Sequence, residues 1–168
     1  APNSDSPTAF MCRLCGGSTM LQFSKKILGK YDVGYYQCSE CESLQTEIPY
    51  WLDEAYKLNN LSISDTGAVQ RNLTNLVACL GLSKVFNITN VLDIGGGDGL
   101  LCRLLRDHKI NCFITDKYAA PTYAQGYTDP NFTTPDLAIG FEVLEHYPNP
   151  SNDLAHLFTL NAQCILLT

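Results

Sequence analysis

Cys12-x-x-Cys15 and Cys38-x-x-Cys41 are two dithiol pairs, and this spacing aims two sulfurs from each turn at a single point about 2.3 Å away, as a tetrahedral zinc ion requires. Gly16 and Gly17 follow the first pair, where the chain must fold back tightly beneath a metal. A redox dithiol is the competing chemistry for either pair alone, but two pairs together read as a zinc ribbon. Four thiolates leave no open position for water or substrate, so the expected zinc (Zn2+) is structural rather than catalytic. The other cysteines, Cys79, Cys102, Cys112 and Cys164, stand singly among apolar residues and read as small core hydrophobes.

A second constellation begins at Asn90-Val91-Leu92-Asp93-Ile94, a buried-strand pattern that runs into Gly95, Gly96, Gly97, Asp98 and Gly99 and then into an amphipathic stretch over residues 100–108. Glycines at such a turn let the backbone pass close beneath a ligand, while the helix start offers free N–H groups. The dinucleotide pattern G-x-G-x-x-G fails, because Leu100 holds its last position and Gly99 comes one place early. No Gly-Lys-Ser/Thr follows either, so a nucleotide triphosphate has no lysine to meet it. The next apolar strand, residues 110–115, ends at Asp116, where an acid can accept both hydroxyls of a ribose. A further buried strand over residues 136–140 ends in Phe141, Glu142, Val143, Leu144, Glu145 and His146. Polar groups at that end of a parallel strand face the ligand crevice, although helix capping and loop hydrogen bonds use the same residue types.

The elements that carry these groups are legible in outline. Residues 30–36 alternate as a hairpin strand does, inside the ribbon. Residues 49–58, starting at a proline, space Trp51, Leu52, Ala55 and Tyr56 on a helical period. A stronger helix is expected over residues 66–80, with Ser64 or Asp65 as cap, Val69, Leu73, Leu76, Val77 and Leu80 on its buried face, and Gly81 as stop. Between Asp116 and Asp136 there is too little chain for a full helix and strand, so the third unit is expected to be shortened. The implied division is a disordered start over residues 1–9, a zinc ribbon over 10–46, a helical linker over 47–82 and an α/β domain over 83–168.

Composition narrows the function classes. The 168 residues carry 11 Lys and Arg against 17 Asp and Glu, a net charge of -6, with 45% hydrophobic residues. Enough apolar side chain is present for one sizeable core, which excludes a disordered or fibrous chain. An acidic chain withholds the positive charge that phosphate backbones and anionic lipids need, so neither nucleic acid nor membrane is an expected partner. No signal-like start is seen, and a soluble cytoplasmic protein is expected. The sequons at Asn60, Asn72, Asn87 and Asn131 are then chance triplets.

The run from Val91 to Gly99, the acid Asp116 and the run from Phe141 to Pro150 together resemble class I S-adenosylmethionine-dependent methyltransferases over about residues 84–168. The zinc lobe ahead of that domain is loosely similar to the arrangement in sugar C-methyltransferases. The resemblance implies a Rossmann-like sheet and a cofactor site. In that site Gly95, Gly96, Gly97, Asp98 and Gly99 accommodate the methionine part, Asp116 binds the ribose hydroxyls, Phe141, Glu142 and Val143 line the cofactor, and Asp93 and Lys117 complete the cofactor-binding set. It also implies a small-molecule or sugar acceptor. His146 is the one nameable base candidate, since imidazole titrates near neutral pH. Residues 164–168 would be the fifth of seven strands, so a truncated domain is expected, inactive alone or paired through that apolar edge as a homodimer. The competing reading is a catalytically silent relative in which ribbon and sheet form a protein-interaction module.

Overall fold

The computed structural model describes residues 10–57, 65–128, 132 and 134–168. The start over residues 1–9, the cap candidate Ser64 and the sequons at Asn60 and Asn131 lie outside the described residues. The chain divides into two compact units, one of Ala1–Tyr56 with Pro148–Asp153, the other of Lys57–Tyr147 with Leu154–Thr168.

The first unit holds an antiparallel sheet in the order β1-β2-β3, with β1 over Thr19–Ile27, β2 over Tyr31–Cys38 and β3 over Leu44–Thr46. Register runs from Thr19 opposite Cys38 to Ile27 opposite Tyr31, with a bulge between Leu21 and Phe23. The alternating pattern read at residues 30–36 is β2, which turns Val33, Tyr36 and Cys38 inward. In β1 only Thr19 is buried. The hairpin therefore has one thin interior, and Cys12 and Cys38 are part of it. The short helix α1, Leu52–Lys57, is tied to this hairpin by Tyr31 Oη donating to Glu54 at 2.7 Å and by a Lys30–Glu54 ion pair at 2.6 Å. Trp51 just ahead of it is buried, with the Tyr50 ring edge-on at 5.0 Å.

The second unit is a parallel sheet in the order β5-β4-β6-β7. Its strands are β4 Asn90–Ile94, β5 Asn111–Thr115, β6 Leu137–Gly140 and β7 Cys164–Leu167. Helix α2, Ala68–Phe86, precedes β4, and α3, Leu100–Asp107, links β4 to β5. Helix α4, Pro150–Phe158, lies outside the elements expected from the residue pattern; two prolines obscure it, yet one of them is its first residue, where proline is tolerated. The core joins Leu76 and Cys79 of α2, Leu101, Cys102 and Leu105 of α3, and inward residues of β4, β5 and β6. Cys79, Cys102 and Cys112 are fully buried, as small hydrophobes are. Burial pushes the Cys79 thiol up to about 12, which keeps it unreactive at neutral pH.

The long helix corrects the expectation in two ways. It runs through Gly81 and stops at Asn87, whose left-handed backbone (φ 55°) lets its N–H reach Ser83 O, so asparagine rather than glycine ends it. Its inward residues are Leu76 and Cys79, whereas Val69, Leu73 and Val77 are exposed, so the apolar period marks a wider stripe than the sheet covers. Asp65 accepts a bond from Gly67 N at 2.9 Å and organises the entry turn. The third unit is shortened as expected: among the described residues no helix or strand lies between Thr115 and Leu137. Tyr127 O instead accepts Ile114 N at 2.9 Å, so a loop occupies the outer edge of β5.

Among the described residues no helix is long and apolar enough to cross a membrane. The order of strands matters more for function. The chain passes from β4 to β5 on one side and then to β6 on the other, which makes the carboxyl ends of β4 and β6 a topological switch point, the place where open α/β sheets bind ligands.

Candidate thiolate centre and glycine-loop site

The two dithiol turns meet. Cys12, Cys15, Cys38 and Cys41 place their sulfurs within 4.8 Å of one another, with Cys12 and Cys41 at 3.7 Å and Cys15 and Cys38 at 3.5 Å. A tetrahedral ion with 2.3 Å zinc–sulfur bonds requires sulfurs about 3.8 Å apart, close to the two separations just given, so the donor set is compatible with zinc. Each turn also carries a backbone donor onto sulfur, Gly17 N onto Cys15 and Glu40 N onto Cys38, both at 3.4 Å. Ser43 was not among the expected residues. Its hydroxyl lies 3.3 Å from the Cys12 sulfur and 3.2 Å from that of Cys41, bridging the two turns. Burial pushes the Cys12 thiol up, but the Ser43 hydroxyl and the N–H groups of Cys15 and Leu14 outweigh it and bring the thiol down to about 6. Gly17 N–H favours the Cys15 thiolate, yet the sulfurs of Cys41 and Cys38 prevail and push Cys15 up to about 12. Without metal, protons are thus shared unevenly among the four sulfurs, and a metal ion must displace them.

The glycine loop is built from the sheet upward. Asp93, the last residue but one of strand β4, is 2% exposed, and after Ile94 the chain turns with Gly95 N donating to Thr115 O at 2.7 Å. Gly97 holds φ +61° and its N–H donates to Asp116 Oδ2 at 2.9 Å. Asp116 Oδ1 accepts Tyr118 N and Ala119 N, both at 2.7 Å. The acid expected to meet a ribose is therefore also the clamp that fixes the loop. A carboxylate has about four acceptor positions, so three backbone bonds leave capacity for a ligand.

One side of this loop is closely packed and the other open. A Cβ at Gly96 would lie 2.4 Å from Asp93 Oδ2 and 2.8 Å from Ile114 Cδ1, one at Gly95 would lie 2.5 Å from Val143 Cγ1, and one at Gly99 would lie 2.8 Å from Ala124 Cβ. At Gly97 nothing among the described residues lies within 4 Å. Among the described residues, Asp93 Oδ2 and Asp98 Oδ2 are buried with no hydrogen-bond partner. Burial first, and the Asp116 charge second, raise Asp93 to about 7.

That shift has a stability consequence. Between about pH 4 and pH 7 the folded protein holds a proton on Asp93 that the unfolded chain has lost, so stability falls as pH rises through this window. About three pH units at 1.4 kcal/mol each set a ceiling near 4 kcal/mol. Asp93→Asn is expected to remove this slope: against wild type, its urea midpoint should be unchanged or lower at pH 4.5 and higher at pH 7.5. Equal midpoint differences at the two pH values would show that Asp93 titrates normally.

Residues 50–166, well over half of the chain, match the family model described as a methyltransferase domain. The chain belongs to the methyltransferase domain family. No curated protein matches the sequence. The family match starts ahead of residue 84, where the motif resemblance begins, and takes in the helical segment before β4. The Rossmann-like α/β sheet expected for a methyltransferase is present, preceded in sequence by a cysteine cluster compatible with a zinc-binding lobe.

The remaining candidates fall at the switch point of this methyltransferase sheet or beside it. Val143 closes over the loop, its side chain filling the space above both Gly95 and Gly140. Glu142, immediately after Phe141, holds a left-handed backbone (φ 57°), and its N–H donates to Thr168 Oγ1 at 3.2 Å. Phe141 is partly buried against the core. Lys117 lies over the Tyr118 ring at 5.0 Å from its centroid. His146 ends a single 3-10 turn, Leu144–His146, half-exposed, with Nε2 3.8 Å from Glu145. Sequence reasoning missed Ala124 and Ser43, because a small or hydroxyl residue in a loop carries no pattern of its own until the fold brings it against a glycine or a sulfur.

Proposed function

We propose that the protein is a class I methyltransferase that binds S-adenosylmethionine on the loop from Gly95 to Gly99 and transfers its methyl group to a small-molecule or sugar acceptor. The observation that carries this reading is the loop itself: packed underneath at Gly95, Gly96 and Gly99, open at Gly97, and clamped by an acid at the end of β5. When bound, the cofactor supplies an activated methyl group on a positively charged sulfur. The chain has then to bind, orient and exclude water. Asp116 would accept the ribose hydroxyls with the positions its backbone donors leave free, and Gly97 would let the ligand lie against the main chain. The acidic residues around the loop suit a cationic ligand. Phe141, Glu142 and Val143 would line the crevice at the end of β6, and His146 is the candidate to take a proton from the acceptor. Zinc on the four cysteines would hold the first unit together and take no part in the transfer, since all four positions are protein sulfurs.

Asp116→Ala is expected to weaken S-adenosylhomocysteine by about 1 to 3 kcal/mol, from lost charge-assisted hydrogen bonds and a released loop. Calorimetric titration of wild type and variant measures this directly. NADH binding more tightly than S-adenosylhomocysteine would reverse the assignment of the loop.

A further inference from the structure

The chain enters the first unit twice. Its second passage is short: Pro148–Asp153 belongs to that unit, whereas the chain before it, through Tyr147, and after it, from Leu154, belongs to the second. From Leu144 to His156 no residue is buried, so this segment has no packed core of its own. Its turn carries a cap: Asn149 O accepts Asp153 N at 2.9 Å, Asn149 Oδ1 accepts Asn152 N at 3.4 Å, and Asp153 Oδ2 accepts Asn149 N at 3.2 Å. A cap shapes a helix start but does not attach it to anything. The attachment is to the first chelating turn, at the two residues between its cysteines. Arg13 Nη1 donates to Pro148 O at 3.2 Å, and the Ser151 hydroxyl, 3.1 Å from both Arg13 O and Leu14 O, shares its proton between them. The same guanidinium donates through Nη2 to Thr46 O at 3.1 Å and through Nε to Gln45 Oε1 at 3.4 Å, and Gln45 Oε1 also accepts Arg13 N at 3.0 Å. The planar fork of Arg13 thus fastens the chelating turn to β3 on one side and to the start of α4 on the other.

The two carbonyls that Ser151 meets lie inside Cys12-x-x-Cys15, so they stay in place only while both of those cysteines do. We propose that Arg13 is a positioning residue that makes the four-cysteine centre a metal-dependent anchor for the segment joining β6 to α4. With the four sulfurs closed on an ion, Arg13 and Leu14 are held where Pro148 O and Ser151 Oγ find them. With the centre open, Pro148–Asp153 is released, and with it the turn Leu144–His146, one residue ahead of it in the chain. What that turn does rests on the reading of the protein as a methyltransferase with His146 as its base candidate: the metal then governs the placement of an imidazole without touching it. The glycine loop is spared, because its bonds to Thr115 and Asp116 lie wholly within the second unit.

The test is hydrogen exchange and proton NMR on the full chain, zinc-loaded and after chelation. Exchange across Asp153–Leu157 is expected to accelerate by about 10-fold or more on chelation, since several hydrogen bonds of modest individual strength are lost together. In zinc-loaded Arg13→Ala and Ser151→Ala the same amides should exchange about 3- to 10-fold faster, while β1 and β2 keep their protection and the zinc content is unchanged. The chain has 3 histidines, so each ring signal can be followed: that of His146 should shift on chelation and in both variants, and that of His108 should not. S-adenosylhomocysteine affinity should change by less than about twofold in the two variants, as expected for sites that share no contacts. Should Arg13→Ala lose its zinc, Ser151→Ala decides, because it leaves the sequence of the chelating turn intact. Unchanged exchange in α4 after chelation, faster exchange on chelation that neither variant reproduces, or a His146 signal that stays in place would each overturn the proposal. Binding of S-adenosylhomocysteine by no form of the protein would remove the methyltransferase reading, while the exchange data would still decide whether the anchor exists.

Discussion

Stripping the metal from the freshly purified protein is expected to unfold residues 10–47 while the parallel sheet of the second unit stays folded. The reason is the composition of the first unit's interior. Besides Val33, Tyr36, Thr19 and Trp51, its buried residues include Cys12 and Cys38, two of the four zinc-ligand candidates, and nearly all of β1 faces solvent. A three-stranded sheet with so little apolar burial does not offset its own chain entropy, so ligand binding must contribute the difference, and structural zinc contributes on the order of 10 kcal/mol or more. Metal analysis should find one zinc per chain, and Cys38→Ser should lower that content. Hydrogen exchange after chelation should show protection lost across β1 and β2 and kept in β4 and β6. Acid should do the same as a chelator, since the sulfurs must be deprotonated to hold the ion and Cys15 sits at about 12 in the metal-free cluster. A chelated protein with full protection in β1 and β2 would sink the idea of a metal-dependent lobe.

The second large effect separates two adjacent glycines. Gly96→Ala puts a methyl group 2.4 Å from Asp93 Oδ2 and 2.8 Å from Ile114 Cδ1. Neither neighbour has room to withdraw, because both are buried in the sheet. Overpacking of this kind costs about 1 to 3 kcal/mol of stability. Combining it with Asp93→Ala should recover most of that loss, as expected for two groups in direct contact. Gly97→Val differs in kind. Its Cβ meets open space, but φ +61° disfavours a branched side chain by about 2 kcal/mol, and the side chain projects to the side where the proposed ligand lies against the loop. The fold should survive Gly97→Val, with S-adenosylhomocysteine binding lost. Retained binding in Gly97→Val, measured by calorimetry on protein of native circular dichroism, would place the ligand elsewhere.

How much of this was legible beforehand depended on whether the information was local. The C-x-x-C pairs, the strand-glycine-helix run of β4 and α3, and the acid closing β5 are contiguous patterns in which spacing alone sets geometry: two residues between cysteines make a chelating turn, and a run of apolar residues before glycines makes a buried strand with a turn at its end. The methyltransferase resemblance rests on such runs, and the family match agrees with it. Helix α2 shows where local reading stops. Gly81 is a good stop signal, yet the helix continues because its last turns still pack Leu82 against the core and Asn87 supplies the left-handed end.

The same boundary divides the site. Residue types determined by themselves that thiolates pair and that the loop must bend at glycine. Only the tertiary structure decided that Ser43 bridges the two cysteine turns, that Asp116 clamps Gly97, that Val143 covers Gly95, and that Asp93 lies beneath Gly96 with one oxygen lacking a partner among the described residues. Each is a contact between segments distant in the chain or turned towards each other only by the fold. Hydrogen bonding and desolvation act over a few ångströms, and sequence order does not say which groups come that close.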